Sequence, residues 1–433
     1  MRRRALLLFT VVGLYGMNTA ATILNLRRAS AQPPGSQVLT YQNTGTVSPL
    51  RHVGRGKGYA VDMKFGGQIF TALVDTASSD MWLPKTSFQC VNPRKLAIQF
   101  TRLTGEQATC KLGPAYAGTF SDGQIANQHF NISYGSGEYL VGEAGYQDVT
   151  LGGITVTNQE VGLADYGFYA AGEDISGIIG FGYPAMTSAF EGVNPGGDMQ
   201  GINGAPYNPF FFNAAEQGLS CTRGSANVRY NDNAWASTPF RIIPIPAPLR
   251  NLVPEALRDM FTFYTIFPEG FLLQGRHYPF STQGDFNSAV DTKGVDAPMI
   301  VDSGTTFTLV PAPIMKGIAA AFDPPAQYNQ EEEIYEADCH AAAPELAVRI
   351  GGHNFLLDKR DLLIQGENGG LDTQTGLCVL GVQNKPPDGP NVLGDTFLKN
   401  VVAVFDVGKK EMRFRSSPPL VNVSFNVSLE LLS

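Results

Sequence analysis

The chain carries little charge for its size. Charged residues fill 16% of its 433 positions, well under the rough quarter usual in globular domains. The 31 basic and 39 acidic residues leave a net charge of −8. Basic residues gather in no stripe, which argues against a nucleic-acid partner. The one acidic run, at 331–333, reads as a solvated loop. Cysteine is also scarce. The 5 cysteines are Cys90, Cys110, Cys221, Cys339 and Cys378, and no Cys-x-x-Cys pair occurs to suggest a zinc ribbon or a thioredoxin-type site. The 5 histidines are scattered and no His-Glu-x-x-His is present, so neither a metal nor another cofactor is expected. No Gly-x-Ser-x-Gly elbow for a serine nucleophile occurs. Past the N-terminus, no apolar run is long enough to span a bilayer.

Glycine (48) and proline (28), by contrast, are plentiful, as suits many turns between short strands. The N-terminus reads MRRR, then ALLLFTVVGLYGM, then small and polar residues. That is a charged region, a short apolar region and candidate cleavage sites near Ala20 or Ala31, the pattern of a signal peptide over 1–31. The alternative is an uncleaved anchor running on to Leu26. Residues 32–57 read as a short pro-segment or linker. From 58 onward GYAVDMKFGGQIFTALVD alternates in strand fashion, with Gly66-Gly67 as a hairpin turn. Residues 129–164 continue in the same manner. Helices are few. One is expected after Asn208, with Asn208 as cap, Pro209 in the first position and Gly218 as the stop; another is expected over 312–322. The composition predicts a mostly β protein.

VDTASSDMWLP (74–84) and VDSGTTFTLVP (301–311) match position for position around Asp75 and Asp302. Each is followed later by two apolar residues and a glycine, in ISGIIGFG (175–182) and NVLGDTFLKNVVAVFD (391–406). The economical reading is a duplicated lobe with an approximate twofold axis at which the two Asp turns meet. A lone Asp on such a turn reads as a residue bonding its own backbone. A matched pair reads differently. Two close carboxylates cannot both ionise comfortably, so they share a proton and titrate as a unit. In acid, one is then a base and the other an acid, able to deprotonate a water and protonate a carbonyl oxygen in one step. Ala77 and Gly304 allow the backbone close to the carboxylates, and Ser78 and Thr305 offer hydroxyl hydrogen bonds. Thr76 and Ser303 are placed to clamp the two loops together. The apolar pairs 178–179 and 392–393 are expected to wall the site.

These phrases, with YGSG at 134–137, resemble the pepsin-like aspartic proteases, particularly secreted fungal members, over roughly residues 58–416. The resemblance implies two pseudo-twofold-related β lobes with a central cleft: an N-terminal lobe at 58–205, a C-terminal lobe at 206–416 and a tail at 417–433. It implies that Asp75 and Asp302 are the catalytic pair. Tyr134, with Gly135, Ser136 and Gly137, matches a flap that closes over substrate, and Trp82 matches the indole that supports the flap tyrosine. It further implies disulfides Cys90–Cys110 and Cys339–Cys378. The substrates would be proteins or peptides, cleaved in acid outside the cell by a monomer free of the membrane once its signal is removed; a vacuolar or anchored enzyme is the alternative. Secretion would also suit glycosylation, for which Asn131, Asn422 and Asn426 stand in Asn-x-Ser sequons.

Three departures stand out. Ala77 replaces the family's usual glycine. The stretch around 219–235, with unpaired Cys221, is too short for the strand pair that relatives place there, as a skipped exon would explain. The segment before Gly58 has few of the lysines of a family pro-segment. The gap supports one rival, a catalytically impaired protease-like binding protein. A two-carboxylate glycosidase is more distant, since its acids seldom sit on matched repeat turns. GFGYPA (180–185) imitates a dinucleotide-binding phrase but reads better as a glycine-rich β segment.

Overall fold

The structure, a computed structural model, describes residues 4–12, 19–27, 50–53, 58–91, 110, 112–169, 175–200, 202–219, 236–239, 260–279, 298–330, 332–364, 377–387, 389–406, 411–416 and 429–432. Cys221, nearly all of the shortened stretch at 219–235, most of 32–57 and the sequons at Asn422 and Asn426 lie outside the described residues. Strands dominate. The chain divides into two compact units, one of residues 60–219 with 242–263, the other of 1–59, 220–241 and 264–433.

The first unit starts with β1 (Gly58–Phe65) and β2 (Gln68–Asp75), an antiparallel pair. Along β1, Val61, Met63 and Phe65 are buried while Asp62 and Lys64 are exposed, the alternation of a strand with one face on the core. Gly66 and Gly67 turn the chain with φ of +53° and +84°, the left-handed pair that a tight hairpin turn requires. The same device recurs at Gly152-Gly153 and Gly351-Gly352. Six more strands follow: β3 (Met81–Cys90), β4 (Gln124–Ser133), β5 (Tyr139–Leu151), β6 (Ile154–Phe168), β7 (Gly177–Gly180) and β8 (Ala189–Glu191). They form one sheet in the order β8-β4-β5-β6-β3-β7-β2-β1. Helix α1 (Phe210–Glu216) buries Phe210, Phe211 and Ala214. Pro209, rather than Asn208, is its N-cap. The Asn208 amide turns instead to Glu216, while its carbonyl accepts a hydrogen bond from Gln159 of β6. Gly218 takes φ +66° past the helix end, as expected of a stop.

The second unit contains β9 (Thr265–Ile266), β10 (Gly270–Leu273), β11 (Arg276–Pro279), β12 (Met299–Val301), β13 (Thr308–Val310), α2 (Ala312–Ala320), β14 (Gln327–Asn329), β15 (Ile334–Ala337), β16 (Leu346–Ile350), β17 (His353–Leu356), β18 (Leu363–Ile364), β19 (Cys378–Leu380), β20 (Val382–Asn384) and β21 (Asn391–Leu393). Three sheets result, ordered β9-β12-β21-β13-β20, β11-β10-β16-β17 and β14-β15-β19-β18. A further hairpin, β22 (Val401–Asp406) with β23 (Glu411–Ser416), pairs through β23 with Ala236–Pro239. The predicted leader contributes an antiparallel pair, Arg4–Val12 with Thr19–Arg27, whose first strand runs parallel to β22. Phe397 packs edge-on against Phe414 at 5.7 Å, and both are fully buried.

The repeated phrases produce one topology twice. β7 lies between β2 and β3, parallel to the first (Ile179 opposite Val74, Gly180 opposite Asp75) and antiparallel to the second (Ile178 opposite Trp82). β21 lies between β12 and β13 in the same way, with Leu393 opposite Val301 and Val392 opposite Leu309. The apolar pairs 178–179 and 392–393 are therefore central strands beneath the Asp turns, not walls of a site. Their unbroken apolar character follows from burial on both faces.

Candidate active site

Asp75 ends β2, where the chain must leave the sheet to let β7 in. Its side chain is 6% exposed. Oδ1 accepts a hydrogen bond from the backbone N–H of Ala77 at 2.8 Å, and Oδ2 accepts one from the Ser78 hydroxyl at 2.6 Å. Asp302 follows β12 directly and is 7% exposed. Its Oδ1 accepts from the N–H of Gly304 at 2.7 Å and its Oδ2 from the Thr305 hydroxyl at 2.5 Å. Each carboxylate thus receives one backbone and one hydroxyl donor, at the same offsets along the chain. Thr76 and Ser303, next to each Asp, have no exposed surface.

The departure at Ala77 is accommodated. Its N–H makes the bond that Gly304 makes, and Ala77 is not among the residues with left-handed backbone. A methyl there meets no conformational penalty. The glycines that matter lie on the strand crossing behind. A Cβ on Gly180 would fall 2.6 Å from the N of Asp80 and the O of Ser78, and one on Gly394 would fall 2.2 Å from the O of Phe307.

Tyr134 stands at the tip of the β4–β5 hairpin, followed by exposed Gly135, Ser136 and Gly137. The N–H of Gly137 donates to the Tyr134 carbonyl at 2.9 Å, and Gly137 takes φ +90°. The Trp82 indole N–H donates to the Tyr134 hydroxyl at 2.7 Å. Burial, followed by repulsion from Tyr169 and Asp75, pushes the Tyr134 phenol well above its ordinary range, so it stays neutral. Trp82 is fully buried in a cluster with Phe130, Ile132, Leu140, Tyr169 and Ile178. Tyr169 packs edge-on against both Trp82 (5.1 Å) and Tyr134 (5.6 Å). Sequence reasoning passed over Tyr169 because it belongs to no repeated phrase. The disulfides Cys90–Cys110 and Cys339–Cys378 are both formed.

Two buried acids also escaped the sequence reading. The Oδ1 of Asp80 accepts from the N–H of Ser188 (2.8 Å) and the Tyr207 hydroxyl (2.7 Å), while its Oδ2 has no partner. Burial raises its pKa from 3.8 to about 6, against the pull of those two bonds, and the charge of Asp75 adds to the rise. In the other unit, Asp395 opens the turn after Gly394 and is fully buried with neither oxygen bonded. Burial pushes its pKa far up; Lys399 opposes this, and Asp302 and Asp361 reinforce it. Each candidate catalytic Asp therefore has a second carboxyl of raised pKa within electrostatic reach. Among the described residues no cluster of His, Cys, Asp and Glu is arranged to hold a metal.

The profile of the family described as eukaryotic aspartyl protease matches residues 58–200 and 281–416. A probable aspartic-type endopeptidase of Aspergillus fumigatus is 34% identical, over 84% of this chain and 79% of its own length. Human gastricsin is 26% identical, over 86% of this chain and 84% of its own. The fold matches that of an aspartic proteinase from Irpex lacteus with a TM-score of 0.56 at 16% identity, covering 86% of this chain and 97% of that one.

Proposed function

From its membership of the eukaryotic aspartyl protease family, the chain is an aspartic-type endopeptidase that hydrolyses peptide bonds of protein or peptide substrates, and we propose that Asp75 and Asp302 are its catalytic pair. The observation that carries this assignment is the identity of their surroundings. Each is nearly buried, each takes one backbone N–H and one hydroxyl, and each sits where a central strand splits its neighbours. In the proposed step the two carboxylates share one proton and hold a water. The ionised carboxylate takes a proton from the water as it attacks the peptide carbonyl. The protonated one gives its hydrogen to the developing oxyanion, and no covalent enzyme intermediate forms. Tyr134, fixed by Trp82, is the residue assigned to cover the bound peptide. The leader-like N-terminus supports a secreted enzyme, acting as a monomer in acid. Among the described residues, no helix is long and apolar enough to cross a membrane.

The test is cleavage of an acid-denatured protein across pH, with and without a peptide whose scissile carbonyl is replaced by a hydroxyl-bearing tetrahedral carbon. The expected result is an acid optimum and strong inhibition, because such a peptide imitates the transition state. Cleavage that peaks near neutrality, or that ignores the peptide, would contradict the assignment.

A further inference from the structure

The segment joining β8 to α1 is held in an unusual way. Among the described residues between Glu191 and Gly204 none is buried, and Val193, Met199 and Ile202 are 83%, 49% and 63% exposed. Apolar burial therefore contributes little to its order. A polar network holds it against β4 instead. The Nδ1 of His129 faces the carbonyl of Gly192 at 2.8 Å, and its Nε2 faces Oδ2 of Asp198 at 2.7 Å. That same Oδ2 accepts from the side-chain amide of Asn131 at 2.7 Å, and Oδ1 accepts from Asn203 at 3.0 Å.

The chemistry of these partners fixes the protonation state. A carbonyl oxygen can only accept. Asp198 already accepts from two amides, as an ionised carboxylate does. Burial alone would raise its pKa, but the bonds from Asn131, Asn203 and His129 outweigh that and lower it. Both ring nitrogens of His129 thus face acceptors, and only the imidazolium carries a hydrogen on each. The other acids near it are engaged. Glu143, opposite in register on β5, pairs with Lys85 at 2.5 Å. Glu160 of β6 takes the amide of Gln128. β8 presents Phe190, whose ring lies 6.2 Å away, and the exposed Glu191.

We propose that protonated His129 is an acid-dependent brace, which tightens the 192–203 segment onto β4 and loosens it when the proton is lost. A neutral imidazole donates only once, so one of the two contacts becomes lone pair against lone pair. Because β4 is the outer strand of the hairpin that ends at Tyr134, the brace stiffens the base of the flap in acid and slackens it toward neutrality. That consequence rests on the flap reading above; the brace itself does not. The Asn131 amide also donates to the Pro195 carbonyl at 3.2 Å.

Hydrogen exchange on the whole protein tests the brace without recourse to activity. Exchange is followed at about pH 4.5 and about pH 7.5, either side of the range where histidine changes charge, and corrected for the intrinsic rate. The amides of Glu191, Gly192 and Asn203 should lose protection by about tenfold or more at the higher pH, the factor expected for one hydrogen bond to a charged group. Those shared by β5 and β6 should stay protected. His129→Gln should leave the segment unprotected at both pH values, and Asp198→Asn should also abolish the step. Equal wild-type protection at both pH values, a wild-type step in either variant, or simultaneous loss across β5 and β6 would overturn the proposal. Cleavage assays on Asp75 and Asp302 variants judge the catalytic assignment separately.

Discussion

Asp80 lies just beyond Asp75 with no exposed surface and one oxygen unbonded, so its ionisation is costly to the folded state. Its pKa rises from 3.8 to about 6 on folding, chiefly through burial. At pH below both values the group is neutral folded or unfolded. Between them the unfolded chain ionises first, so stability falls as pH rises; above about 6 the loss is complete at about 3 kcal/mol. Asp80→Asn, measured by denaturant unfolding at pH 4 and at pH 7, should fall by about 2 kcal/mol less than wild type, since part of the loss precedes pH 4. Parallel losses in the two proteins would refute this. Ala77→Gly should leave kcat/KM within about threefold, since the backbone N–H is the only group Ala77 lends to Asp75. At this scale the sequence was legible where residues recur. Asp75, Ser78, Asp302 and Thr305 announced themselves by their pairing, and their hydrogen bonds follow from chain offset. Asp80 did not, because burial is set by segments far along the chain, here the loops that carry Ser188 and Tyr207.

Among elements, the split-strand crossing is the unit that positions each carboxylate. Gly394→Ala would press a methyl onto the Phe307 and Thr305 carbonyls and should destabilise the protein by about 3 kcal/mol or more, since backbone cannot retreat as a side chain can. A melting temperature within a degree or two of wild type would count against the crossing as described. One side-chain bond holds the flap tyrosine's hydroxyl. Trp82→Phe keeps most of the buried ring and removes the donor to Tyr134. It should lower kcat/KM by about five- to tenfold with the fold intact, the value of one neutral hydrogen bond. The strands and their glycine turns were readable from alternation and Gly-Gly pairs. The cap of α1 was not, because the rule that favours Asn208 is local, while its side chain is taken by Glu216 and its carbonyl by β6. The apolar strands 178–179 and 392–393 were recognised as a repeat but given the wrong place, since sequence does not tell a wall from a central strand.

For the molecule as a whole, duplication explains more than any one motif. Two short phrases, each written twice, yield two carboxylates in matching surroundings from units of quite different sheet layout. The second unit spreads over three small sheets besides the one built on β22 and β23, and the Cys339–Cys378 bond ties the start of a strand in one of the small sheets to a loop. Replacing both cysteines by alanine should cost about 4 kcal/mol by the loop-entropy account, read as a lower denaturation midpoint; an unchanged midpoint would remove the bond from the list of what holds this unit. The central claim, however, is that Asp75 and Asp302 act together. It is tested most directly by purifying Asp75→Asn and Asp302→Asn and measuring peptide cleavage in acid beside wild type, with circular dichroism to confirm folding. Both should lose about a thousandfold or more in kcat, since neither half of the pair can move a proton alone. A folded variant of either kind that keeps a tenth of wild-type activity or more would contradict the account.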